Sequence, residues 1–314
     1  MSEPVAVVGG GAWGLALAAA VARTGRATLL LSRRAQDGAL PPGVTLARDV
    51  AEVGQRGRLV ILAVPSGVAR EVARSLGAHL DGRHFVVHGV RGLVGDGLET
   101  ISGVVHDETP ARRLGALGGP ALASDLLAGR PCVMVCGSHY PEVNRALRGA
   151  FESPTLRLYQ TADLLGLEWA SALVGCLAIG VGYARGLGLG PGLLAAVITR
   201  AVEEAARLAA AAGGHDRTLL GLAGYGDLLA SIGQTERPEV RIGEALAAGR
   251  PLDQVLADVN QRVEAVELTG RIVAWAASAG VRTPILSALA HSILPGRTSD
   301  TLVNEMMTSP LDEI

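Results

Sequence analysis

Three glycines near the start of the chain, Gly9, Gly11 and Gly14, stand at the spacing G-x-G-x-x-G. The chemistry open to such a turn is the holding of phosphate. Gly9 permits a tight turn, Gly11 lets backbone approach a pyrophosphate, and Gly14 lets a helix pack against a strand. The first N–H groups of that helix and the positive end of its dipole then face the charge. Ala12 and Trp13 complete the turn. A second residue with usable chemistry is His88, at the C-terminal end of the strand expected at 83–88. A strand end of this kind faces the ligand crevice, so His88 is a candidate proton donor with a near-neutral pKa, or else a hydrogen-bonded strand-end histidine.

The elements around the turn are those it requires. Val5–Val8 is apolar throughout and reads as a buried parallel strand, and an Ala/Leu-rich run without a breaker reaches Arg23 as a helix. Residues 27–31 form a second apolar strand and close a β-α-β unit. An NAD-preferring site would carry an acid there for the ribose 2′-OH, whereas this chain has Ser32-Arg33-Arg34. Two cations and a hydroxyl suit a 2′-phosphate, so the cofactor expected is NADP or NAD, with NADP favoured; the competing reading is a pair of solvated loop arginines. Further strands are expected at 58–64, 83–88, 113–116, 131–136 and 156–159. Pro65-Ser66 turns into a helix ending near Leu80, and another helix spans 142–151. Strand and helix alternate, which predicts a doubly wound parallel sheet of Rossmann type over residues 1–160. From 161 to 314 the long Ala/Leu segments at 163–185, 193–212 and 262–278 predict an all-α second domain.

Bulk properties exclude several functions. The 314 residues suit two domains, and with 49% hydrophobic and 18% charged residues the chain is globular. A formal charge of -2, no basic block and only 3% aromatics argue against a nucleic-acid partner. The N-terminal apolar run is too short for a signal peptide, and the apolar stretch 170–184 falls short of a membrane span, so a soluble, cytoplasmic protein is expected. Cys132, Cys136 and Cys176 form no C-x-x-C pair and read as buried reduced thiols, with no metal site expected. An Ala- and Leu-rich helical half could bury a face against a second copy, which makes a homodimer plausible.

Several stretches together resemble the NAD(P)-dependent glycerol-3-phosphate dehydrogenase family. Besides Gly9-Gly-Gly-Ala-Trp-Gly14 they are Val64-Pro-Ser66, Gly118-Gly-Pro-Ala121 with Leu127-Ala-Gly-Arg-Pro131, Gly186-Leu-Gly-Leu-Gly190, Ala196-Val-Ile-Thr-Arg200 and Gly221-Leu-Ala-Gly-Tyr-Gly-Asp-Leu228. The resemblance runs over nearly the whole chain. It implies hydride transfer between NAD(P)H and dihydroxyacetone phosphate, a phosphorylated triose, with Pro65 at the cofactor and Gly119 at the substrate. Negative charge grows on the carbonyl oxygen as hydride arrives, and a placed donor must stabilise it.

The family places a lysine there, within an A-[LV]-K-N segment. The matching residues here are Ala172-Leu-Val-Gly175, so Val174 stands at the lysine position. Its second lysine, in a K-G-[LI] turn, is matched by Arg91-Gly-Leu93, which keeps charge but donates a proton poorly. The phosphate-binding R-N pair falls on Pro238-Glu239, with Arg237 one place earlier and Arg241 nearby. Asp227 survives as the acid of the G-D-L segment, and Thr199, Arg200 and Glu264 also fall on family positions. The catalytic candidates are thus Asp227, Arg91 and His88, and the substrate-binding candidates are Gly119, Arg237 and Arg241. Three functions fit: a dehydrogenase of this type, a reductase for another carbonyl or for an iminium, or a non-catalytic nucleotide-binding protein whose nucleotide supports a protein partner.

Overall fold

The computed structural model describes residues 3–34, 38–234, 236–259 and 263–293. The chain divides into two compact units, with the divisions falling after Val94, Leu98 and Glu168.

The first unit is an eight-stranded sheet between helices. In chain order its elements are β1 (Val5–Val8), α1 (Ala12–Arg23), β2 (Thr28–Leu31), β3 (Val44–Leu46), α2 (Val50–Arg56), β4 (Leu59–Leu62), α3 (Ser66–Gly77), β5 (Phe85–His88), α4 (Ile101–Glu108), β6 (Arg113–Gly118), α5 (Ala123–Ala128), β7 (Cys132–Gly137), α6 (Pro141–Phe151) and β8 (Leu156–Thr161). The strand order is β3-β2-β1-β4-β5-β6-β7-β8. Val5 pairs with Thr28 on one side and Leu59 on the other, both parallel, so β1 is central and the strand order reverses beside it. The crevice beyond the carboxyl ends of β1 and β4 is therefore the ligand position of an open α/β sheet.

Both faces of β1 are covered, which is why it reads as an unbroken apolar run rather than an alternation. Val5 and Val7 pack with Leu17, Leu147 and Phe151, while Ala6 and Val8 pack with Leu62, Leu76 and Val104.

The sheet departs from the all-parallel expectation at one junction. β6 and β7 are antiparallel, Ala116 pairing with Gly137 and Gly118 with Val135. The connection, residues 119–131, is long enough for a crossover, but its helix α5 has six residues and spans about 9 Å against the roughly 20 Å of six-residue β6, so it does not carry the chain back along the strand. The chain therefore enters β7 from the end at which it left β6. Parallel pairing resumes between β7 and β8, which the longer α6 connects. The three-residue β3 and the helices α2, α4 and α5 were not expected, being too short to show a period.

The second unit is helical. It takes up α7 (Leu164–Gly186) beyond Glu168 and continues through α8 (Pro191–Ala211), α9 (Asp216–Leu220), a π-turn (Leu222–Gly226), α10 (Asp227–Ile232), α11 (Pro238–Ala247), α12 (Leu252–Val259), α13 (Glu264–Ser278) and α14 (Pro284–Ile293). The expected start of the third helical segment at residue 262 lies outside the described residues. By length and composition α7 could cross a membrane, yet 89% of its most apolar window is buried within the structure. It is the core helix of its unit. Its backbone touches that of α11: a Cβ on Gly182 would lie 2.1 Å from Val240 O, and one on Gly243 would lie 2.1 Å from Ile179 O.

Candidate functional site

In the first unit the three glycines play different parts. Gly9 has φ +124°, and a Cβ there would lie 2.1 Å from Ala63 O. A Cβ on Gly14 would lie 1.8 Å from Gly9 O. The fold itself requires glycine at both positions. Gly11 is different: it is exposed, its φ of -78° suits any residue, and a Cβ there would meet no described atom within 4 Å. Gly11 is also the N-cap of α1, and no described side chain caps that end. A residue left bare where the fold has no use for bareness, in front of uncapped N–H groups, fits the close approach of a pyrophosphate. Exposed Ala12 follows, and Pro65 caps α3 at the end of the neighbouring β4.

Trp13 reaches from the turn toward the end of β5, where a Cβ on Gly89 would lie 2.6 Å from its Nε1. At the end of β2, Ser32 Oγ donates to Arg34 O at 2.8 Å and accepts from Arg34 N at 3.2 Å, so the hydroxyl expected to meet a 2′-phosphate bonds within its own loop. Arg33 and Arg34 are exposed beside it.

The other candidates of this unit lie around β5. His88 is 3% exposed; its Nε2 is 2.9 Å from Glu168 Oε1, and its Nδ1 accepts from Val90 N at 3.3 Å. Of its two readings from sequence the structure displays the hydrogen-bonded strand-end histidine, both ring nitrogens being engaged. Glu168 also accepts from Ser102 N at 2.8 Å and from Ser102 Oγ at 2.5 Å. Neither Glu168 nor Ser102 stood out in the sequence, because a contact across 66 or 80 residues leaves no local pattern. Three residues after His88, Arg91 directs Nη2 at Gly119 O, 3.5 Å away, and Gly119 has φ +91°. The structure thus brings together a cation and a glycine that the sequence singled out separately.

In the helical unit Asp227 is fully buried at the first residue of α10 and lies 3.5 Å from Ser231 Oγ. The π-turn before it aims it. Gly226 N bonds to Gly221 O at 3.0 Å, and a Cβ on Gly224 would fall 2.2 Å from Leu219 O. Irregular turns of this kind recur at functional sites. Arg237, at the N-cap of α11, is taken up by Glu239: Nε to Oε2 is 2.7 Å and Nη2 to Oε1 is 3.4 Å, with the side chains 16% and 17% exposed. Arg241 is half exposed and faces Glu236 at 3.5 Å. Val174 is 1% exposed on α7, and Tyr183 on the same helix is buried core, as its spacing from Val174 indicates.

Residues 32–144 match the profile of the NAD-dependent glycerol-3-phosphate dehydrogenase N-terminus, and residues 163–304 that of its C-terminus. The glycerol-3-phosphate dehydrogenase (NAD(P)+) of Nitratidesulfovibrio vulgaris strain DP4 is 33% identical over 98% of this chain and 99% of its own length. The chain belongs to the NAD(P)-dependent glycerol-3-phosphate dehydrogenase family. The crystal structure of glycerol-3-phosphate dehydrogenase from Coxiella burnetii superposes with a TM-score of 0.90 at 25% identity, covering 98% of this chain and 99% of that one. The Plasmodium falciparum glycerol-3-phosphate dehydrogenase shares the fold at 14% identity, again with a TM-score of 0.90.

Within this glycerol-3-phosphate dehydrogenase frame one further buried feature escaped the sequence. Glu204 of α8, 1% exposed, accepts from Ile285 N at 2.7 Å and Leu286 N at 3.1 Å and so caps α14. Burial pushes its carboxyl up to about 7 against the pull of those two bonds. Cys136 and Cys176 are free and buried, and burial pushes both thiols up to about 12, which leaves them unreactive.

Proposed function

We propose that this family member binds NADP or NAD through the turn Gly9 to Gly14 and does not reduce dihydroxyacetone phosphate at an ordinary enzyme rate. A reduced nicotinamide nucleotide, when bound, supplies the hydride. What the chain's own residues must add is a donor for the carbonyl oxygen and a cation for the substrate phosphate. Val174 supports the loss of the first: a valine 1% exposed on α7 can neither donate a proton nor carry charge. Arg237 supports the loss of the second, since its guanidinium already holds the Glu239 carboxylate. The buried Val174 is the observation that carries the reading. Arg91, Asp227 and His88 are the polar candidates for proton transfer.

The Arg237–Glu239 pair favours one alternative, a reductase for a carbonyl without a phosphate or for an iminium, whose positive charge removes the need for a donor. A soluble, cytoplasmic setting accords with the burial of α7, and a homodimer through the helical unit is part of the same proposal. Purified protein titrated with NADPH and NADH, then given dihydroxyacetone phosphate and a panel of phosphate-free carbonyls and imines, tests it. The proposal expects nucleotide binding without triose phosphate turnover. Turnover of a phosphate-free substrate selects the alternative, and no turnover of any substrate leaves a nucleotide-dependent binding role toward a protein partner.

A further inference from the structure

Glu168, His88 and Ser102 form a bonded polar cluster in the first unit, with Glu168 and His88 buried, and the bonds of its carboxylate run between elements of the fold. Their placement gives them a task. The Glu168 carboxylate accepts three bonds, from His88 Nε2 at 2.9 Å, Ser102 N at 2.8 Å and Ser102 Oγ at 2.5 Å. His88 is held on its other side by Val90 N–H at 3.3 Å, which fixes the tautomer with the proton on Nε2. One carboxylate thus ties the first turn of α4 and the start of α7 to the last residue of β5. The residue next to that tie, Gly89, is the seat of Trp13: a Cβ there would lie 2.6 Å from Trp13 Nε1 and 3.5 Å from Leu17 Cδ1. Gly89 N in turn bonds to Leu62 O at 2.8 Å, which continues the ladder to β4. Trp13 is the second residue of α1, two places after the bare Gly11.

We propose that Glu168 and His88 are positioning residues for the dinucleotide: by fixing the end of β5 they fix the seat of Trp13 and hence the aim of the first N–H groups of α1. The inference rests on the reading that the glycine turn holds the pyrophosphate. Side chains that orient a site through bonds of their own act on the affinity of that site.

The test is calorimetric NADPH affinity of the full chain beside its melting temperature. His88→Phe removes the bond to Glu168 and is expected to weaken NADPH about ten-fold. His88→Gln, whose amide nitrogen can take the place of Nε2, is expected to restore affinity to within about three-fold of the starting protein. Should His88→Phe fail to fold, Ser102→Ala removes a single bond from the same carboxylate and is expected to weaken NADPH by a few-fold. Glu204→Gln, which alters a buried carboxylate in the helical unit, is expected to leave NADPH affinity unchanged. Full affinity in folded His88→Phe or Ser102→Ala, no rescue by Gln, or an equal loss in Glu204→Gln overturns the proposal. Failure of the unaltered protein to bind NADPH overturns the pyrophosphate reading itself, an outcome distinct from these.

Discussion

The glycine turn of the first unit and the arginine at the N-cap of α11 in the second both present N–H donors that suit an anion, yet they are finished in opposite ways. Around Gly11 the chain leaves space that no described atom uses, in front of N–H groups that no described side chain caps. At Arg237 the fork of N–H donors is filled by a carboxylate from two residues away. A phosphate arriving at the first meets donors ready for it; a phosphate arriving at the second must displace Glu239. The contrast teaches that two units of one family frame can differ in whether their N–H donors are already engaged by a carboxylate.

The sharpest way to break the comparison lies within the turn. Gly11→Val is expected to fold normally, since its backbone is extended and its surroundings are open, and to lose NADPH affinity by about 100-fold or more in calorimetry. Gly14→Val is expected instead to lower the melting temperature by about 10 °C or more, because its Cβ would fall 1.8 Å from Gly9 O. Equal behaviour of the two variants would remove the claim that Gly11 is bare for a ligand's sake.

Stability against pH separates the helical unit from the turn. Glu204 has a folded pKa raised to about 7 from an ordinary 4.5, so between those values the folded state binds the more protons. Its favourable contribution is complete below about pH 4.5 and is lost as pH rises through 7, up to about 3 kcal/mol in all. Melting temperature is therefore expected to fall from pH 5 to pH 8, and Glu204→Gln is expected to flatten that slope. A slope unchanged in the variant would assign it to other groups.

Smaller effects sharpen the two ends. Arg33→Ala is expected to weaken NADP by about ten-fold and NAD by much less, in proportion to one charge-assisted contact with a 2′-phosphate; equal losses would return Arg33 to solvent. Glu239→Gln frees the Arg237 fork and is expected to raise affinity for inorganic phosphate by a few-fold, read by calorimetry. No gain would mean that Glu239 is not what closes that site.

Much of the first unit was legible because its signals are local. A strand buried on both faces reads as Val5-Ala-Val-Val8, and the helix after it begins where the glycines end. The reversal between β6 and β7 was not legible, since it follows from the length of α5, a helix too short to declare itself. Arg91, Gly119 and Asp227 were candidates by motif, and the structure adds the approach of Arg91 to Gly119 O. The absence of a lysine at Val174 could be read directly, as could the fall of the family's R-N pair on Pro238-Glu239. Glu168, Ser102 and Glu204 were invisible because their partners are distant in sequence. Each satisfies buried polar groups on another element, and only the folded chain shows which.

The central claim is that this chain keeps a nicotinamide nucleotide site and lacks the donor for triose phosphate reduction. NADPH oxidation followed at 340 nm with dihydroxyacetone phosphate, on protein whose NADPH binding has been measured in the same preparation, tests it most directly. The account predicts saturable NADPH binding with no substrate-dependent oxidation above background. Oxidation at rates of about 1 s⁻¹ or more, within the ordinary range of enzymes, would contradict it.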